Sequence, residues 1–240
     1  MRARTLGMVL GGAGLLAAVT AAAPALRGGW AILTVHELPE SVVVGEATTL
    51  TFTLRQHGEE LMTGRAPVLQ LRSGGLLGQR QRVEAERTRE PGVYRATFTP
   101  GSAEPLHVRV DTDYHGWTVD LLPMTVHAAG TRVTRASSAA PNSLGRGRAL
   151  FVAKGCVGCH TKADDAALRD YPKMRVGPDL TGRSFPAEFL VQKMTDTDAL
   201  RPTQPRFGSR QAVMPQLEVT AGEAREIAAY LNARSVASRD

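Results

Sequence analysis

Cys156-Val157-Gly158-Cys159-His160 is the stretch on which the reading of this 240-residue chain turns, and it holds both of the chain's cysteines. Two thiols one turn apart, with an imidazole directly after them, suit three kinds of chemistry. A redox dithiol of the thioredoxin kind wants a βαβ setting, which the flanking sequence lacks. A zinc site wants a second Cys or Cys/His pair downstream, and no Cys or His follows His160. Covalent haem attachment uses every residue of the pattern. The two thiols add to the two vinyl groups of the ring, the intervening turn sets the distance between them, and the histidine reaches the iron as its proximal ligand. A five-residue pattern also arises by chance, so its surroundings must decide.

Upstream, Ser143–Phe151 reads as a short helix capped by Ser143, with Gly155 as its stop. Downstream comes the turn Gly177-Pro178-Asp179-Leu180-Thr181-Gly182, then a helix-like run over Pro186–Thr195 in which Met194 reads as a core residue. A last helix is predicted from Thr220, with Glu223 completing a capping box and Ala224, Ile227, Ala228 and Leu231 as its apolar stripe. With these features around the attachment motif, residues 143–235 resemble the class I cytochromes c.

The resemblance implies an all-α fold around one covalent haem c, bound through Cys156 and Cys159, with His160 as an axial ligand. It implies that the Pro178 carbonyl accepts the ring N–H of His160 and orients it. It also implies that Gly147 and Phe151 meet Tyr230 and Leu231 where the first and last helices cross. The sixth ligand is Met174, Met194, Met214 or nothing, since the region has no other histidine. Met214, followed by Pro215 in a turn-rich loop before the last helix, stands where the family carries its axial methionine; an open position is the alternative. Residues 161–177 and 196–211 depart from the pattern, so haem exposure and partner surface do not carry over.

Over the middle segment no helical period longer than a turn or two competes with a strand reading. Thr49–Leu54, Val93–Phe98 and Leu106–Val110 alternate polar and apolar residues, the signature of half-buried strands. Further strands are expected at Ile32–His36, Val42–Val44, Pro67–Leu71, Arg80–Glu86 and Trp117–Val126, with Pro123 marking a bulge or an edge. Short strands at this spacing predict an antiparallel, Ig-like sandwich over residues 30–128. The run at 90–98, with Val108 and Trp117 after it, resembles the YtkA-type modules of exported bacterial proteins. Five histidines (His36, His57, His107, His115, His127) with Met62 and Met124 suggest copper, but no compact ligand spacing joins them, and no copper is expected. Residues 129–142, small, polar and proline-containing, read as a linker to a domain spanning 143–236.

The first 26 residues carry two arginines, a charge-free stretch over 5–26 and a small-residue ending at Ala23-Pro24-Ala25. This is a signal peptide, or an anchor long enough to span a bilayer. The expected place is therefore periplasmic or otherwise extracytoplasmic, either secreted or held at the inner membrane by residues 5–26. The formal charge of +6 divides into +2 for that segment, 0 for residues 27–141 and +4 for residues 142–240, with no basic block. A nucleic-acid partner is excluded. The expectation is a multidomain electron carrier rather than an enzyme, serving redox partner proteins in the periplasm or at a membrane, with the β-module for docking or positioning. Two other readings remain: a copper-handling or assembly protein, and a haem enzyme or sensor with an open coordination site.

Overall fold

A computed structural model describes residues 29–74, 78–133, 143–169, 171, 174, 176–198 and 214–233. The apolar segment 5–26, much of the linker and most of the charged loop 196–211 fall outside the described residues. Among the described residues, no helix is long and apolar enough to cross a membrane.

Residues 31–127 form short strands: β1 (Ala31–Val35), β2 (Ser41–Val43), β3 (Thr48–Gln56), β4 (Glu60–Leu61), β5 (Val68–Ser73), β6 (Gln79–Glu84), β7 (Glu86–Arg87), β8 (Val93–Phe98), β9 (Leu106–Asp111), β10 (Thr118–Asp120) and β11 (Thr125–His127). One sheet runs in the order β1-β3-β8-β7, with β4 also paired to β3, and a second runs β10-β9-β5-β6. The period-2 pattern places the side chains. In β8, Tyr94, Ala96 and Phe98 are buried while Arg95 and Thr97 are exposed. Leu50, Phe52 and Leu54 of β3 join them in one core with Leu69, Leu71, Val108 and Val110 of the other sheet.

Two expectations need correction. The predicted strand Trp117–Val126 is two strands, β10 and β11, because Pro123 has no N–H to continue a ladder. Nor is the pairing antiparallel throughout: β11 lies parallel to β2, with Val126 opposite Val42. The first and last parts of the module can pair this way because both main sheets intervene as the crossover.

β1 is buried along its whole length, as a strand covered on both faces would be. Leu33 and Val35 pair with Leu54 and Phe52 on the inner face. Ile32 and Thr34, opposite Arg55 and Thr53, belong to the outer face, and Arg55 and Thr53 are buried there too. The helical region covers that face.

That region consists of α1 (Ser143–Ala153), α2 (Ala187–Thr195) and α3 (Ala221–Asn232), with single 3-10 turns at Cys156–Gly158 and Ala166–Leu168. α1 begins at Ser143, and the cap expected of that side chain lies outside what the structure describes. α3 starts on the expected capping box, Thr220 N donating to the Glu223 carboxylate at 3.0 Å and Glu223 N to Thr220 Oγ at 3.3 Å. α1 and α3 cross at Gly147, where a β-carbon would stand 2.1 Å from the Glu226 carbonyl oxygen. One turn on, the Phe151 and Tyr230 rings meet at 5.9 Å.

Candidate functional site

Gly155 ends α1 with φ at 84°, a left-handed conformation that glycine adopts without strain. The chain then coils through the attachment motif, with Cys159 N and His160 N both donating to the Cys156 carbonyl, at 3.1 and 2.9 Å. Cys156 is buried and Cys159 partly so. Burial, with the neighbouring Cys159, pushes the Cys156 thiol up to about 12, so it is a neutral thiol and not the low-pKa thiolate of a dithiol enzyme. Burial raises the Cys159 thiol as well.

The His160 imidazole lies with Nδ1 at 2.9 Å from the Pro178 carbonyl oxygen. Burial lowers its pKa, and that carbonyl opposes the shift only in part, so the ring is held neutral. In the tautomer that lets Nδ1–H donate to Pro178, Nε2 keeps its lone pair for a metal. Gly177 admits the ring: a β-carbon there would be 2.6 Å from His160 Cε1.

The turn is positioned by a zipper between residues 159–164 and 177–182. Gly177 N donates to the Cys159 carbonyl at 3.1 Å, and Leu180 N to that of Thr161 at 2.9 Å. Ala163 N donates to Thr181 Oγ at 2.9 Å and Gly182 N to Asp164 Oδ2 at 3.2 Å. Lys162, itself buried, donates to both oxygens of Asp164, at 3.0 and 2.8 Å.

Of the three methionines, Met194 lies buried in α2 and Met174 is exposed, whereas Met214 is half-buried against the common core. The segment after Met214 is tied down by Gln216, whose amide donates to the Thr195 carbonyl at 2.8 Å while its oxygen accepts from Thr197 Oγ at 3.1 Å. Two thiols one turn apart and a neutral imidazole with a free nitrogen fit a covalently attached haem.

Other residues near the site were not singled out in the sequence. Lys154 is fully buried, its ammonium 2.8 Å from Glu223 Oε1, and it donates to the His36 carbonyl at 2.9 Å. Arg55 of β3 pairs with Glu218, and His36 Nε2 is 3.4 Å from the same carboxylate. Arg146 of α1 donates to the Leu38 carbonyl at 2.8 Å, and Tyr171 Oη to that of Asp120 at 2.6 Å. The signal for this contact was present in β1, an apolar run broken only by Thr34.

The module's histidines are spread out. His36 shares a hydrogen bond with Thr53 Oγ at 2.8 Å, His57 packs on Trp30 and His115 on Tyr114. Among the described residues, no three His, Cys, Asp or Glu side chains form a group that could hold a metal.

The family model for cytochrome c matches residues 144–235 of the chain. No curated protein matches it. Among solved structures, the chain is similar to the Lin-41 filamin domain, at 17% identity over 40% of this chain and 91% of that one, with a TM-score of 0.31. It is also similar to a superoxide reductase (neelaredoxin) from Ignicoccus hospitalis, at 16% identity over 43% of this chain and 86% of that one, with a TM-score of 0.29. The C-terminal part of the chain is a cytochrome c domain, preceded by a β-rich region, and its family implies a covalently attached haem c and electron transfer.

Proposed function

We propose that the protein is an exported c-type cytochrome that passes single electrons to and from other redox proteins. Cys156 and Cys159 would hold the haem as thioethers, His160 and Met214 would be the ligands of its iron, and the Ig-like β-module would dock or position the carrier. The haem, when bound, supplies a one-electron iron couple; everything else is the work of the chain. Pro178 accepts the Nδ1 proton of His160, which fixes the tautomer, aims Nε2 at the iron and raises its basicity. Gly177 leaves the ring room to turn edge-on to that carbonyl. Gln216 tethers the segment that carries Met214. A soft thioether opposite an imidazole favours the ferrous state and leaves no position for a substrate, so such a site carries an electron rather than transforming a molecule.

The observation that carries this reading is the Pro178–His160 hydrogen bond beside two cysteines one turn apart. The apolar segment 5–26 supports export to the periplasm, in secreted or membrane-anchored form. Partners are then periplasmic or membrane-bound redox proteins. Two ionised haem propionates would reduce the +4 of residues 142–240, so charge steering is modest and favours acidic partners.

The test uses the full chain made in a host able to attach haem. Its intact mass should include one haem, and an unmodified mass would refute the assignment. The oxidised protein should show a methionine–iron charge-transfer band that is lost in Met214→Ala and kept in Met174→Ala. A band kept in Met214→Ala, or absent from the unmutated protein, would favour the open-site enzyme or sensor.

A further inference from the structure

One corner of the β-module reaches two separate parts of the haem site. β3 and β4 are joined by a tight turn in which His57 and Gly58 both have positive φ, 55° and 82°, the handedness that hairpins favour. The turn is locked to the start of β1: His57 N donates to the Trp30 carbonyl at 3.0 Å, and the two rings pack at 4.3 Å. Towards the attachment loop, Ile32 is so close that a β-carbon on Gly158 would lie 2.5 Å from its Cδ1, and one on Gly155 would lie 2.6 Å from its Cγ2. The Trp30 indole N–H is buried without a well-aligned acceptor, and the Cys159 sulfur is the group it faces. Towards the other side, a β-carbon on Gly58 would lie 2.7 Å from Cγ of Pro215, the residue after Met214.

On the reading above, Cys159 and His160 would hold the ring on one side, and Met214 would supply its second iron ligand from the segment beside Gly58. A rigid corner that touches both segments spans the edge between them. We propose that Trp30, His57 and Gly58 form an outer wall of the haem crevice, so that the β-module braces the Met214–Pro215 strap and limits what reaches the iron. This rests on the reading of Met214 as the sixth ligand and gives the module a definite task, positioning that ligand. Gly58 acts here by what it lacks: any side chain would push on Pro215. Trp30 is the filler between the turn and the attachment loop.

Two measurements on the full-length holoprotein test the wall. In Trp117→Phe protein, Trp30 supplies the single remaining indole N–H proton resonance. It should move markedly between the ferric and ferrous states, because a paramagnetic centre shifts nearby protons, and an unchanged position would overturn the proposal. Imidazole, followed by the Soret band of the ferric protein, then reports how firmly Met214 is held. Gly58→Ala should bind it about tenfold more tightly, equivalent to about 1.4 kcal/mol. Gly64→Ala is the control: its φ is 74° and nothing lies within 4 Å of its β-carbon, so it carries the same backbone strain without the contact. Equal affinity in a folded Gly58→Ala, or an equal gain in Gly64→Ala, would overturn the bracing role. Should Gly58→Ala fail to fold, Trp30→Ala is measured the same way with the same expectation. If Met214→Ala keeps the charge-transfer band, the ligand assignment fails, while the Trp30 resonance still decides whether the module walls the haem.

Discussion

Asp164 carries no part of the electron, yet it decides how firmly Pro178 meets His160. Its carboxylate accepts from Lys162 and from Gly182 N, which closes the zipper whose other end is the proline turn. Burial alone would raise its pKa, but the hydrogen bonds from Lys162 and Gly182, with the lysine's charge, outweigh that and leave it below the usual aspartate value. A carboxyl depressed in the folded state contributes stability above its unfolded pKa and loses it as pH falls through the folded one. Asp164→Asn should therefore lower the melting temperature at neutral pH, with the difference shrinking below about pH 4, near the ordinary aspartate value. Thermal melts of both proteins from neutral to acid pH check this. A gap that stays constant into acid would mean the carboxylate's charge is irrelevant to the turn. The cysteines, His160 and the proline turn were legible at this scale because their chemistry is written in adjacent residues. Lys162 and Asp164 were not, because nothing in a Lys-Ala-Asp triplet says that its charges are turned inward.

Among the elements, the α1–α3 crossing depends on a single missing methyl group. Alanine at 147 would gain about 0.8–1.0 kcal/mol of intrinsic helix propensity over glycine. Against that stands a β-carbon 2.1 Å from the Glu226 carbonyl and 2.7 Å from Tyr230 Cβ, both parts of a helix that cannot turn aside as a side-chain tip can. Overpacking of this kind costs about 1–3 kcal/mol, so the contact should win and Gly147→Ala should be destabilised despite its better helix former. Urea unfolding of the holoprotein measures it, and a gain in stability would show that the helices do not meet there. The capping box at Thr220 and the stop at Gly155 were readable because caps are local hydrogen-bonding chemistry. The parallel β2–β11 pair was not, since pairing depends on strands far apart in sequence. Alternation located β3, β8 and β9 well, but it says only that a face is polar, not whether another part of the chain will cover it.

For the whole molecule, the apolar run of β1 signals that a second layer covers the sheet but not which residues make the joint, and Lys154 is at its centre. Its ammonium is fully buried, paired with Glu223 of α3 and hydrogen-bonded to the His36 carbonyl at the end of β1. One side chain thus links the helix before the haem motif, the helix that closes the haem domain and the outer face of the sheet. Nothing in the sequence around Lys154 marks it as buried, and only the tertiary arrangement makes it an internal pin. Replacing it with methionine keeps most of the volume but leaves the Glu223 carboxylate with its Thr220 bonds and no counter-charge, and the His36 carbonyl without this donor. Breaking one side of a buried pair costs about 3–5 kcal/mol. In Lys154→Met, loss of β-structure followed in the far ultraviolet and loss of the haem environment followed in the Soret region should separate into two transitions, whereas the unmutated protein should unfold in one. Neutralising the stranded partner should recover part of the loss, so Lys154→Met/Glu223→Gln should be more stable than Lys154→Met alone. If Lys154→Met melts at the original midpoint with both signals coincident, the pair does not hold the two parts together. The joint would then rest on Arg55–Glu218 and on the packing of Ile32 against the attachment loop.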